Sequence, residues 1–371
     1  MIDVRAAIGR DGLRRFVDYA FDRNAIDPRW IPPLRLSERE RLMPRRNPFF
    51  AHADVDLFLA WRDGRVAGRI AAIDDRLHNE THRDNVAMFG FFEADDDAVA
   101  RALTEAVEVW AARRGRAHVR GPLNPSLNES AGLLIDGFDT PPMVMMPHNP
   151  PEYAAYLESA GYEKVKDLFA WIWDPAPDPP AIVTKLADRM RDKYGIALRQ
   201  LRVAEFAREV ERLREVYCSA WERNWGFVAP TADEFRRIAA ELKPIFDPRC
   251  AVVAEQNGRL VACVVAIPDV NQALAGTNGR LVSAKTIFRL LFRARYIDRA
   301  RLLLLGVDPA YRAAGLFPLL MTALRGQLLA SPYRRVEFSW VLEDNRDVNQ
   351  AAALGGAKHY KTYRIYQKAL A

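Results

Sequence analysis

Residues 302–317, LLLLGVDPAYRAAGLF, run an apolar strand into a basic, small-residue turn that opens a helix. The first backbone N–H groups of a helix have no carbonyl partner, and the helix dipole adds partial positive charge at that end, so an anion is welcome there. Arg312 adds formal charge, Ala313 and Ala314 add no bulk, and Gly315 lets the backbone approach a ligand closely. From Leu316 onward, Leu319, Leu320, Ala323, Leu324 and Leu328 repeat at helical spacing. The stretch reads as strand, anion cradle and amphipathic helix, a shape suited to a pyrophosphate.

Downstream, residues 335–342, RVEFSWVL, read as a strand. Glu343, Asp344 and Asn345 then turn into a short helix ending at Gly355 and Gly356, and a strand over 360–368 closes the chain. Arg312, two residues, Gly315, one residue and Phe317 resemble the acyl-CoA signature of the GNAT superfamily of N-acyltransferases, with Phe317 where a small residue is usual. The resemblance implies that Leu305, Gly306, Val307, Arg312, Ala313, Ala314, Gly315, Leu316 and Phe317 hold acyl-CoA. It also implies that the strand after the cofactor helix splays from its neighbour, and that Asn345 contacts the pantetheine arm. Asn345 is equally suited to capping the helix that follows.

A chain of 371 residues is comfortable for two domains, and with half its residues apolar it can bury large cores. Cys218, Cys250 and Cys263 lack metal-ligand spacing and suit a reducing cytoplasm. No apolar run approaches the roughly 20 residues that span a bilayer, and charges throughout the first 21 residues leave no secretory signal. A net charge of +6 favours anionic partners. P-loop and dinucleotide glycine fingerprints are absent, and aromatics do not interleave with a basic stripe, so no nucleic acid is expected. His78 and His82 stand one helical turn apart without a third ligand and read as structural; no metal is expected.

The chain also repeats itself. Residues 54–73 read as a hairpin turning at Asp63 and Gly64, and residues 250–267 as a hairpin turning at Asn257 and Gly258. The shift between these hairpins agrees to within one residue with the shift between Gly161 and Gly356. Two related domains follow, 1–176 and 177–371, joined near the proline-rich DPAPDPP at 174–180. The expected fold is α/β (α+β): two tandem GNAT-like domains, each a mixed, mostly antiparallel twisted sheet flanked by helices. Setting Gly90 on Gly306 places Asp96 where Arg312 stands. Asp95, Asp96 and Asp97 favour a helix start and repel a pyrophosphate, so the first domain is expected to keep the fold and to have lost the cofactor site.

Two insertions, near 121–150 and 269–301, are candidate acceptor sites. The first is rich in Asn, Pro, Gly and Met and contains His148. The second carries Lys285, Arg289, Arg293, Arg295, Arg299 and Arg301 around Ile287, Phe288, Leu291, Phe292 and Ile297, and reads over 284–301 as a basic amphipathic helix fit for an anionic membrane face, or as a packed surface helix. Over its whole length the chain is similar to a bacterial group of tandem GNAT-like proteins that includes the ceramide synthases. The stretches that carry this are NPFFAH at 47–52, His78 with Asn79, FGFFE at 89–93, GPLN at 121–124, LIDGFD at 134–139, AWERNWGF at 220–227, PDVN at 268–271, NGRL at 278–281 and KTYRI at 361–365.

The resemblance implies an enzyme that moves a fatty acyl group from acyl-CoA to the amine of a sphingoid-type base; the cysteines suit a cytoplasmic location, and the basic stretch 284–301 is the candidate for peripheral contact with the inner membrane. Such chemistry needs a base, oxyanion donors and protonation of the leaving thiolate. Glu222, between aromatics, is the candidate base, with His148 behind it. Asn224 is a candidate for orienting the acceptor. Tyr363 is the candidate acid, because Ala352 occupies the place where many GNAT proteins carry a tyrosine. Two alternatives stay open: an acetyltransferase for a small soluble amine, and a non-catalytic acyl-CoA-binding protein suggested by Phe317, Ala352 and the lack of an obvious base.

Overall fold

The computed structural model describes residues 1–179, 181–277, 279–280, 284–292 and 295–370, with the backbone alone for Leu186, Arg312, Ala313 and Ala314. The chain forms two compact units, one of residues 1–169, 274–288 and 361–371, the other of residues 170–273 and 289–360. The elements in chain order are β1 (Ile2–Ala6), α1 (Gly9–Asn24), α2 (Arg35–Arg41), β2 (Ala53–Arg62), β3 (Arg65–Asp75), α3 (Arg76–His82), β4 (Val86–Ala94), α4 (Asp97–Ala112), β5 (His118–Gly121), β6 (Leu133–Asp136), α5 (Tyr153–Ser159) and β7 (Glu163–Trp173). There follow α6 (Ala181–Tyr194), β8 (Ala197–Arg199), α7 (Phe206–Trp221), α8 (Ala232–Leu242), β9 (Ala251–Gln256), β10 (Arg259–Pro268), α9 (Asn271–Leu274), α10 (Ala284–Leu291), β11 (Arg299–Val307), α11 (Leu316–Leu329), β12 (Arg335–Leu342), α12 (Arg346–Leu354) and β13 (Lys358–Ala369).

The sheets of the two units share one plan. In the first, β1, β2, β3 and β4 pair antiparallel in sequence and β4 then pairs parallel with β5. In the second, β8, β9, β10 and β11 pair antiparallel and β11 pairs parallel with β12. A parallel pair needs a crossover, and α4 and α11 supply it. Both expected hairpins turn through two residues of positive φ: Asp63 at 52° with Gly64 at 79°, and Asn257 at 50° with Gly258 at 78°. That pair of dihedrals matches the twist of the flanking strands and suits Asp-Gly and Asn-Gly.

Each crossover helix buries the stripe its spacing predicts. Val99, Ala100, Leu103, Val107 and Ala111 of α4 pack with Ile70, Ala72 and Phe89. Leu316, Leu319, Leu320, Leu324 and Leu328 of α11 pack with Val252, Val264 and Ala300. On the other sheet face of the second unit, Leu213 and Val216 of α7 cover Val253, Cys263 and Val265.

The expected helix over 284–301 is shorter than its sequence suggested. It stops at Leu291, and Arg299 and Arg301 belong to β11, where ladders to β10 and β12 outcompete helical hydrogen bonding. Arg301 is 3% exposed, so it is not part of a solvated basic face. Arg293 lies outside the described residues.

Candidate active site

The site of the second unit begins where a ladder stops. β11 and β12 pair from Arg299 with Arg335 to Leu302 with Phe338. Both strands run on, to Val307 and Leu342, and among the described residues no rung joins them past that point. A cavity of about 460 Å³ occupies the gap. Leu302, Leu303, Leu305 and Val307 line it from β11, and the residues from Phe338 to Leu342 line it from β12. Trp221, Asn224 and Trp225 close it at the end of α7, Phe317 and Met321 on α11, and Asn345, Val348 and Ala352 around α12.

The walls combine apolar and aromatic side chains with a polar part made by Arg223, Asn224, Asp344, Asn345 and Asp347. Trp221 lies 5.9 Å from Trp340 and 5.0 Å from Tyr217 between ring centroids, and its indole N–H donates to the Leu305 carbonyl at 3.3 Å. Such a lining holds hydrocarbon, while the parted strand edges present backbone polar groups to an amide-bearing arm or a developing oxyanion. At the mouth, a 3-10 turn over Pro309–Ala314 leads to Gly315, whose φ of 63° is the left-handed conformation that glycine tolerates. Gly315 supplies no side-chain cap to α11, the kind of helix start whose first backbone N–H groups suit an anion.

No family model matches the chain. It is 41% identical over 367 residues to the bacterial ceramide synthase of Caulobacter vibrioides (strain NA1000 / CB15N), covering 96% of this chain and 95% of that protein. It is 36% identical over 376 residues to protein YghO of Escherichia coli (strain K12), covering 98% and 95%. Among solved structures, a tandem GNAT protein from the clavulanic acid biosynthesis pathway matches all of this chain and 99% of its own at a TM-score of 0.58 and 16% identity. A GCN5-related N-acetyltransferase from Sphaerobacter thermophilus matches all of this chain and 96% of its own at a TM-score of 0.51 and 14% identity. The chain belongs to the tandem GNAT-like N-acyltransferases of bacteria, the group that includes bacterial ceramide synthase.

In this tandem GNAT-like enzyme the structure gathers Leu305, Val307, Phe317, Asn345 and Asn224 around the cavity. Gly306 faces α7, where a Cβ would stand 3.3 Å from Ala220 Cβ and Val216 Cγ1; its role is to let the helix approach the strand. Leu316 is buried in the core and anchors α11. Asn345 lines the cavity and also caps α12, its Oδ1 accepting from the Val348 N–H at 3.3 Å. The side chains of Arg312, Ala313 and Ala314 lie outside the described residues.

Three expectations meet a different geometry. Glu222 follows the last helical residue of α7 and is exposed, because Trp221 takes the inward position; the burial that would have made it a base is missing. Tyr363 is fully buried in the first unit, paired with Leu134 of β6, and does not line the cavity. His148, also of the first unit, holds Asp27 with Nε2 at 2.8 Å from Oδ2, and burial lowers its pKa. The methionines of the loop around it, Met143 and Met146, are buried as core. What the sequence alone did not reveal is the wall formed by Ser339 and Trp340, with Glu337 buried behind Ser339; the signal was the acid and hydroxyl inside RVEFSWVL.

The first unit repeats the geometry and fills it. β4 and β5 pair from Val86 with His118 to Met88 with Arg120. Beyond that point the chain leaving β5 turns back on β4: the Leu123 N–H donates to the Phe89 carbonyl at 2.8 Å, and Asn124 Oδ1 accepts from the Phe91 N–H at 2.6 Å. A Cβ on Gly90 would lie 1.8 Å from the Leu123 carbonyl oxygen, so only glycine admits this contact. At the start of α4, Asp96 accepts from the Val99 N–H at 3.1 Å and pairs with Arg62.

Proposed function

We propose that this enzyme transfers a fatty acyl group from acyl-CoA to the amine of a sphingoid-type long-chain base. The observation that carries the reading is the open gap between β11 and β12 beside the glycine-led start of α11. A thioester arm fits along the parted strands, and its pyrophosphate fits at the helix start, three residues after Arg312 in the sequence. The 41% identity to a protein named bacterial ceramide synthase supports the acceptor. The apolar lining supports a fatty chain.

In the reaction, the amine nitrogen attacks the thioester carbonyl carbon, the C–N bond forms, the C–S bond breaks, and the thiolate takes up a proton. Backbone N–H groups at the parted strands serve the tetrahedral oxyanion, and Asn224 stands where it can orient the acceptor. The first domain, residues 1–176, serves as a scaffold without a second acyl-CoA site, since its own loop and Asp96 take the corresponding places.

No helix among the described residues is long and apolar enough to cross a membrane. α10 nonetheless exposes Ile287 (45%), Phe288 (51%) and Leu291 (74%) beside Lys285 and Arg289. We extend the proposal to peripheral contact of this helix with the anionic cytoplasmic face of the inner membrane, where a lipid amine is presented.

A matrix of acyl-CoA chain lengths against amines, read by mass spectrometry and thiol release, tests the reading. Release with long-chain acyl-CoA only when a sphingoid base is present is the expected result. Release with acetyl-CoA and polyamines identifies a soluble-amine acetyltransferase instead, and acyl-CoA binding without release over the whole panel identifies a carrier.

A further inference from the structure

A buried carboxylate stands at the vertex of the gap. Glu337 is fully buried and Arg301, its partner across the ladder, is 3% exposed. Both are joined to Ser339, the first residue of β12 past the last rung and one of the cavity's lining residues. Arg301 Nε donates to Ser339 Oγ at 2.7 Å and its Nη2 donates to the Ser339 carbonyl at 3.1 Å. The Ser339 hydroxyl donates to one oxygen of Glu337, and the Tyr360 hydroxyl donates to the other. The guanidinium itself stands 3.8 Å from Glu337. A buried ion pair seldom stabilises more than well-packed apolar residues of the same volume, so its place beside the cavity calls for a role in what happens there.

We propose, on the reading of this site as an N-acyltransferase, that Ser339 and Glu337 form a proton relay for the attacking amine. A hydroxyl has one donor and two acceptor sites; Ser339 uses its donor on Glu337 and one acceptor site on Arg301, which leaves one for a substrate N–H. As the amine nitrogen bonds to the thioester carbon, its proton passes to Ser339 Oγ while the hydroxyl proton passes to Glu337. When the C–S bond breaks, the thiolate takes that proton back along the same path, and Glu337 returns to its carboxylate. Ser339 is the catalytic residue. Glu337 acts through it, and Arg301 positions both. The charged and titratable groups set against Glu337 are Arg301 from β11 and Tyr360 from β13. Among the described residues, the charged ones that line the cavity are Arg223, Asp344 and Asp347, all exposed.

The test compares two nucleophiles with the wild type, Ser339→Ala and Glu337→Gln, using the acyl-CoA chain length that turns over best in the matrix. One nucleophile is sphinganine, and the other is an O-alkyl hydroxylamine of similar chain length, whose attack product sheds its proton to water without help. The relay predicts that either substitution lowers kcat/KM about a hundredfold for sphinganine, within the range of general acid–base catalysis. Less than tenfold is expected for the hydroxylamine. Equal losses for both nucleophiles, or no loss, overturn the relay. Ser339→Ala leaves the Arg301 and Glu337 pair in place and decides the matter alone where Glu337→Gln does not fold. A wild type that releases no thiol with any amine overturns the acyltransferase reading and the relay with it, whereas an active wild type with an indifferent Ser339→Ala overturns the relay alone.

Discussion

β4 parts from β5 much as β11 parts from β12, yet only the first of these gaps is closed by its own chain. Leu123 and Asn124 hydrogen-bond to the edge of β4 past its last rung, and Asp96 places a negative charge at the start of α4. In the second half, the same strand edges face a cavity and the same helix end opens on Gly315. The two halves show that one strand plan can hold either a filled gap or an open one, and that a loop and one carboxylate decide which.

The sharpest way to break this comparison is Gly90→Ala. The added methyl would fall 1.8 Å from the Leu123 carbonyl, which forces the loop off β4; a loss of about 4 kcal/mol in denaturant unfolding is expected, and a loss within error means that the gap is not tightly filled. A second contrast is in acid. Burial, with His82 and Arg120 nearby, holds His78 of the first unit at a pKa of about 4 against its ordinary 6.5. The unfolded chain therefore binds a proton in that interval that the folded one does not. The contribution is whole above about pH 6.5 and is lost as pH falls toward 4, by about 3 kcal/mol in all. In the second unit, Glu255 is held at about 2 by hydrogen bonds from Arg199 and Arg212, so its contribution persists down to its ordinary range near 4.5 and is lost only below. Hydrogen exchange from pH 7 to 4.5 should loosen the first unit before the second, and His78→Gln should flatten the slope.

Arg312→Glu should weaken acyl-CoA binding about a hundredfold, or roughly 2.8 kcal/mol, with the melting temperature unchanged; calorimetric titration showing wild-type affinity would remove the pyrophosphate from this turn. Asp96→Ala should cost about 1 kcal/mol of stability as a lost helix cap and leave acyl-CoA binding as it was. The smallest effect sharpens the comparison most: Asp96→Arg should create no second binding site, because the gap beside it stays filled, and titration should still count one acyl-CoA per chain.

Much of this was legible in the sequence, because local chemistry dictated it. The Asp-Gly and Asn-Gly turns, the stripe on α11 and the caps at Asp96 and Asn345 each depend on residues close together in the chain. What escaped depends on register between distant segments. Leu123 lies over Gly90 only because β5 is laid on β4, and the loop containing it read as an acceptor site. Arg301 meets Glu337 only because β11 and β12 pair in that register, and its basic neighbours drew it into an expected helix. Glu222 shows the converse: aromatic neighbours in sequence suggested burial, but a helix end turns adjacent residues in different directions.

The unfilled gap has a further consequence for the energetics of the whole chain. A domain whose two central strands part around a cavity lacks the internal contacts that its filled counterpart already has, so a bound substrate becomes part of its core. Occupancy then stabilises by RT ln(1 + [L]/Kd), about 2.7 kcal/mol at a hundredfold excess over Kd. On the proposed reading, only the half with the open gap gains it. With the acyl donor seated there as proposed, the resistance of that half to unfolding rises and falls with the supply of donor, while the other half stays indifferent to it.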